Sequence, residues 1–215
     1  MKKFTFILLL NLGICSCLMA QVSVGLKAGG ALANHVYKGI GLTSGGNGDN
    51  LKLTYLGGLF VSVPISEKFI IQPEILYSDK GYRAGWTSLS GASTTYNRHN
   101  FHYISVPIML QYRLLDKLTV ELGPEIGYLL SASQNIEHMG SSPSDFPYKD
   151  LDIALNIGVG YSLSDRWNLN LRYNMGISDV SEDFTISVIG RDEPVLISNS
   201  TYNCSLQFSV GFRLF

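Results

Sequence analysis

Over residues 167–178 the chain alternates without a break. Trp167, Leu169, Leu171, Tyr173, Met175 and Ile177 are large and apolar, and the residues between them are polar or small. An extended strand sends the two sets to opposite sides, whereas a helix would scatter them around its circumference, so the segment is predicted as a β-strand. The same test predicts seven more strands, within residues 22–28, 53–65, 69–77, 104–114, 118–130, 151–163 and 202–214, and no apolar face among them carries a charge. Their connections are unequal. Ser66-Glu67-Lys68, Leu115-Asp116-Lys117 and Ser164-Asp165-Arg166 are tight polar links, while residues 37–50, 84–100, 133–150 and 180–201 are long polar stretches. Long and short connections alternate, which predicts an antiparallel meander with all long connections at one end. Within the last long stretch a second alternation around Gly190-Arg191-Asp192-Glu193-Pro194 predicts a projecting hairpin.

Eight antiparallel strands of this length close into a barrel that side chains can fill. The apolar set faces either a ligand inside a soluble lipocalin-like carrier or the hydrocarbon around a membrane barrel. The second set decides between them. It is rich in Gly, Ser and Asn, as at Gly25, Gly29, Asn156, Gly158, Gly160, Ser205, Ser209 and Gly211, and small residues suit a crowded interior rather than a wetted surface. Its charges are of both signs: Lys27, Lys80, Arg113, Arg172 and Arg213 against Glu74, Glu121, Glu125 and Asp152. Enclosed charges must pair, and this near-balance fits an interior network, with Glu121 and Glu125 expected to pair with interior Arg and Lys of neighbouring strands, for example Arg113 across the tight turn.

Aromatic residues on the apolar face gather at both strand ends. Phe69, Tyr112, Tyr161, Trp167 and Phe212 lie beside the short turns, and Tyr55, Tyr77, Tyr128, Tyr173 and Tyr202 lie toward the long loops. Two belts with aliphatic residues between them mark a lipid-facing wall, so the fold class is an all-β, eight-stranded antiparallel up-and-down transmembrane β-barrel. Pro73, Pro107 and Pro124 each remove a ladder donor in mid-strand, and bulges are expected there. Phe215 falls one position past the outward-facing Leu214.

The start of the chain reads as a signal peptide over residues 1–20: Lys2 and Lys3, an apolar run too short to span a membrane, then small residues up to Ala20. Cleavage after Ala20 is expected, with lipid attachment at Cys17 as the competing outcome, and residues 21–215 form the barrel domain. Cleavage leaves Cys204 as the lone cysteine, unable to make an internal disulfide. Of the 215 residues only 15% are charged, and the formal net charge of -1 includes Lys2 and Lys3, so no electrostatic case for nucleic acid arises.

The order of several short pieces resembles the PorT-like outer-membrane β-barrel domain family, small eight-stranded barrels of OmpA-like shape. They are Gly25-Leu26-Lys27-Ala28-Gly29, Gln72-Pro73-Glu74-Ile75-Leu76-Tyr77 with Lys80-Gly81, Val106-Pro107-Ile108 with Tyr112, Leu122-Gly123-Pro124, Gly158-Val159-Gly160-Tyr161, Arg172-Tyr173-Asn174-Met175-Gly176 and the terminal Gly211-Phe212-Arg213-Leu214-Phe215. The resemblance covers nearly all of residues 21–215. It implies an outer-membrane location and, for some members, a part in protein secretion.

The residues offer little for catalysis. His35, His99, His102 and His138 lie at or near the long-loop end, and His102 has lipid-facing parity, but no serine shares its face at a spacing along the strand, Ser105 pointing inward. Glu121 and Glu125 stand roughly 13 Å apart along one strand, too far to share a proton. Glu137, His138 and Asp145 lack metal-ligand spacing, and no glycine-rich phosphate loop precedes a helix. The expected protein is therefore a non-enzymatic outer-membrane barrel without cofactor or metal. It would bind through its loops or support a secretion or envelope complex, too filled to be a general pore. Long loops are expected outside the cell, with short turns and mature termini in the periplasm. Expected partners are outer-membrane lipid, the barrel-assembly machinery during insertion, and envelope or secretion-complex proteins. The alternatives are a lipid-modifying hydrolase or acyltransferase and a soluble carrier of an apolar ligand.

Overall fold

The structure is a computed structural model that describes residues 22–38, 51–87, 94–136, 140–144, 147–186, 195–197 and 200–215. The predicted cleavage site, Cys17, Glu137, His138 and Asp145 lie outside these residues. The described residues form strands β1 (Ser23–Lys38), β2 (Lys52–Pro64), β3 (Phe69–Thr87), β4 (Thr94–Arg113), β5 (Leu118–Ile136), β6 (Gly140–Pro143), β7 (Leu151–Ser162), β8 (Trp167–Gly176), β9 (Phe184–Ile186), β10 (Val195–Ile197) and β11 (Ser200–Arg213). The pairing order β4-β3-β2-β1-β11-β8-β7-β5, with β4 also paired to β5, closes an antiparallel ring of eight strands. Short β6 extends β5, and β9 and β10 pair in the predicted hairpin, whose tip lies outside the described residues.

Alternation decides which way each side chain points. On β8, Leu171 is 45% exposed while its neighbour Arg172 is 3% exposed. Leu26, Ile75, Ile108, Ile126, Ile157 and Phe208 are likewise turned outward, and the buried set is largely polar. The three short links are tight. Ile65, Leu114 and Leu163 each donate a backbone N–H to the first residue of the next strand, and the hydroxyls of Ser66 and Ser164 accept from backbone N–H groups within two of the turns.

Two expectations about the wall need correction. The long connections are partly strand: β3 runs to Thr87 and β4 starts at Thr94, inside the stretch expected to be loop. Beyond the lipid-facing band the outward face of a strand is no longer apolar, so alternation fades while backbone pairing continues. Nor do bulges form at the prolines. Pairing lapses at residues 61–62 against 72–73, at 74–75 against 106–107, and at 108–109 against 123–124, and resumes each time in unchanged register. A residue of an antiparallel strand aims its N–H and C=O at the same neighbour, so each proline weakens one ladder and leaves the other intact. Pro73 still pairs with Ile108, Pro107 with Glu125 and Pro124 with Leu155. The register shift lies elsewhere, between His102 and Tyr103, where Leu130 of β5 is the extra residue.

A second irregularity lies at the long-loop end. The β2–β3 ladder stops at Leu56 and Ser78, although β2 continues to Lys52 against β1 and β3 continues against β4. A side chain closes the split: Lys52 Nζ donates to both carboxylate oxygens of Asp79 at 2.9 Å and to the Lys80 carbonyl at 3.1 Å.

Candidate functional site

Inward-facing charges meet in the middle of the ring in two layers. In the first, Glu74 accepts from Lys27 and from both terminal nitrogens of Arg172, and the Arg172 Nε–H donates to Glu121 at 3.0 Å. In the second, Lys80 Nζ donates to Glu125 at 3.0 Å and to Asp152 at 2.8 Å. Three cations thus face four carboxylates, and amides supply further donors: Gln72 to Glu74, Gln111 to Glu121, Asn156 and Asn174 to Glu125, and Asn203 to Asp152. Each ion is desolvated, so only this density of contacts makes its burial tolerable. Space is tight enough that a Cβ built on Gly158 would stand 2.6 Å from the Leu171 carbonyl oxygen and 3.0 Å from Glu121 Oε1. The small residues of the second set admit the long ones.

Seven of the nine charges predicted for the interior are buried: Lys27, Glu74, Lys80, Glu121, Glu125, Asp152 and Arg172. The other two belong to the short-turn mouth. Arg113 is exposed and donates to the Glu67 carbonyl, not to Glu121 or Glu125, and Arg213 donates to the Asp165 carbonyl. Both sit so close to a strand end that their side chains reach the turns before they reach the network. They line an open polar cavity of about 760 Å³ together with Lys68, Lys117, Asn168 and Asn170. The sequence reading missed the buried Lys52–Asp79 pair, because Lys52 precedes its alternating segment and Asp79 has the outward parity of Tyr77.

Above the second ionic layer the interior is aromatic. Tyr82 stacks on His99 with centroids 4.4 Å apart and lies 4.6 Å from His35, which stacks on Phe101, and Phe101 meets the edge of Tyr148. His35 Nε2 bonds to the side chain of Asn203. His35 and His99 are therefore buried within the mouth and are not wetted rim histidines.

The outward face carries the aromatic positions. Phe69 packs on Tyr112 and Trp167 on Phe212 at the short-turn end, while Tyr55 stacks on Tyr77 at the other, and Tyr128, Tyr161 and Tyr173 are exposed. Phe212 and Tyr202 mark the two levels on β11, and their ten-residue separation is about 33 Å along the strand, or about 25 Å along the axis of a tilted strand. His102 joins the upper group, stacked on Tyr77 at 5.7 Å.

The bulge gives His102 neighbours that reading along one strand does not reveal. Its cross-strand partners are Asp79 on β3 and Ser131 on β5, and Asp79 Oδ1 lies 3.8 Å from His102 Nδ1. Among the described residues no hydrogen bond joins Ser131 to His102, and Lys52 holds both oxygens of Asp79. The row has the order of a hydrolytic triad without its closed geometry.

Residues 19–182 match the family model described as outer membrane protein beta-barrel domain. No curated protein matches the chain. Among solved structures, Neisserial surface protein A superposes with a TM-score of 0.54 at 12% identity, covering 90% of this chain and 99% of that one. Ail of Yersinia pestis, solved in complex with the heparin analogue sucrose octasulfate, gives 0.45 at 13% identity over 90% and 99%. Outer membrane protein W of E. coli gives 0.39 at 17% identity over 89% and 97%.

Proposed function

Because the chain belongs to the outer membrane β-barrel domain family, we propose that it is a sealed barrel that works through its long-loop end, as a binding or supporting component of an envelope or secretion complex. One observation carries this reading: the ring is filled by hydrogen-bonded ion pairs, which leaves the surface as the place where it acts. The order of short pieces noted in the sequence supports a place among the PorT-like members. Long loops face outward from the cell and short turns face the periplasm. In whole cells, an impermeant maleimide should label Asn135→Cys and leave Asp165→Cys unlabelled until the envelope is broken; the reverse pattern inverts the orientation. Crosslinking from intact envelopes, through cysteines placed in the long-loop end and then in the short turns, should yield protein adducts only from the former. Adducts confined to the short turns would refute the reading.

A second reading, a lipid-acyl hydrolase, is favoured by the Asp79–His102–Ser131 row beside Tyr77, the depth at which lipid ester groups lie. Hydrogen bonds in such a site are often long until substrate closes them. Fluorophosphonate labelling of the reconstituted protein, lost in Ser131→Ala and in His102→Ala, would establish it. An unlabelled folded protein would end it.

A further inference from the structure

Above His102 the outward stripe of β3 and β4 turns cationic. Arg83 and Arg98 are direct cross-strand partners, and Arg98 is exposed. Like charges placed opposite one another destabilise a sheet unless something else neutralises them. Among the described residues neither guanidinium has a carboxylate within ion-pair distance. Arg83 is held in place, its Cζ 3.6 Å from the centre of the Tyr96 ring, and its Nε is buried without a protein acceptor among the described residues. Arg98 also lies close enough to Lys52 to repel it, and Asp79, the acidic residue on this face among the described residues, is already bound by that lysine. The result is a two-fork donor set on the side of the barrel, its Arg83 fork preorganised, suited to a tetrahedral or carboxylate oxyanion.

The stripe below indicates who brings that oxyanion. Going down the same face, Arg83 and Arg98 give way to Gly81 and Asn100, then to Asp79 and His102, then to Tyr77 and Ile104, then to the exposed Ile75 and Val106. The stripe therefore runs from hydrocarbon through an aromatic level to a cationic one, which matches an amphiphile lying against the wall. Six residues separate Tyr77 from Arg83, roughly 20 Å along the strand and about 15 Å along the membrane normal after tilt. A bilayer's polar zone adds only about 5–8 Å beyond the hydrocarbon on each side, so a phospholipid phosphate falls short of the arginines. A phosphate carried on a sugar headgroup reaches them.

We propose that Arg83 and Arg98 form a binding site for the sugar-borne phosphate of an outer-leaflet glycolipid, whose acyl chains lie along the β3–β4 stripe. This rests on the long-loop end facing the glycolipid leaflet, but the reconstituted test does not. Full-length mature protein in detergent would be mixed with rough-type lipopolysaccharide, with the same material dephosphorylated by hydrofluoric acid, and with phosphatidylglycerol. Retention would be read by native mass spectrometry on the heat-modifiable, folded fraction. The phosphorylated glycolipid should be retained at least ten-fold more strongly than either comparator, and R83Q/R98Q should abolish that difference, whereas K117Q at the opposite end should not. If the double variant gives no folded fraction, R83Q and R98Q singly, which each relieve a like-charge contact, should show the loss. Equal retention of the dephosphorylated glycolipid, or unchanged retention by the folded variants, overturns the proposal. Binding of dextran sulfate in place of the glycolipid, lost in the same variants, overturns it in favour of a soluble polyanion.

Discussion

Arg172 ties the first ionic layer together, because it serves Glu74 and Glu121 at once. Arg172→Leu leaves two buried carboxylates short of a cation, and removing one partner of a buried pair typically costs about 3–5 kcal/mol. Urea unfolding of the refolded protein in vesicles should show a loss of that order, while Lys117→Met at the exposed turn should change little. Asp179, in the loop after β8, is a residue whose charge state matters. Its partial burial pushes the carboxyl pKa up, but the N–H groups of Thr201 and Ser181 and the Lys149 ammonium outweigh that and hold it below the usual value. A lowered folded-state pKa means its contribution is fully present above the unfolded value of about 4 and is lost as pH falls through the folded one. Protection of the Thr201 and Ser181 amides, measured against their intrinsic exchange rates, should therefore fall selectively on acidification from about pH 5 to 3, and Asp179→Asn should show weak protection throughout. Single positions were only partly legible in sequence. Parity gave the inward direction of Lys80 and Arg172, but nothing in one strand says that Arg113 stops at a turn carbonyl or that Lys52 reaches a neighbour's Asp79.

Strands were legible where lipid meets them and illegible where it does not. Hydrocarbon on one side and packed polar groups on the other enforce a strict period of two, which is why all eight wall strands could be recognised. The upper parts of β3, β4 and β5 have lost the apolar outward face and read as loop, and with them the pairing that sets Ser131 opposite His102 stayed hidden. Prolines misled for a related reason: the ladder tolerates a lapse without slipping, because alternation on both flanks pins the register. Where backbone comes closest to a neighbouring strand the wall has less tolerance. Gly158→Val would drive its side chain into the Leu171 carbonyl and the Glu121–Arg172 contact, so the heat-modifiable fraction should fall severalfold after refolding. Val159→Ala, one residue along and facing outward, should fold normally.

Taken whole, the molecule is a cylinder whose wall is reversed: between its two ends most of the large apolar side chains are exposed and the ions are buried. Such a protein should migrate faster on a gel before boiling than after, and should leave solution when detergent is removed. Purified material that stays monomeric without detergent would contradict the membrane assignment. With two ionic layers and an aromatic cap along its axis, the barrel should give no stable conductance steps in a planar bilayer. Ohmic steps that vanish in no interior variant would mean that ions pass by another route.

The split between β2 and β3 leaves the upper ends of these two strands joined through a side chain. Along the lower wall, prising neighbours apart means breaking a row of main-chain bonds; here, among the described residues, it means opening one lysine's grip on Asp79 and the Lys80 carbonyl. The barrel thus has a side on which it can yield first, and Lys52→Met should loosen that side alone. Hydrogen exchange would report this as faster labelling of residues 52–55 and 79–82, with the lower wall unaffected.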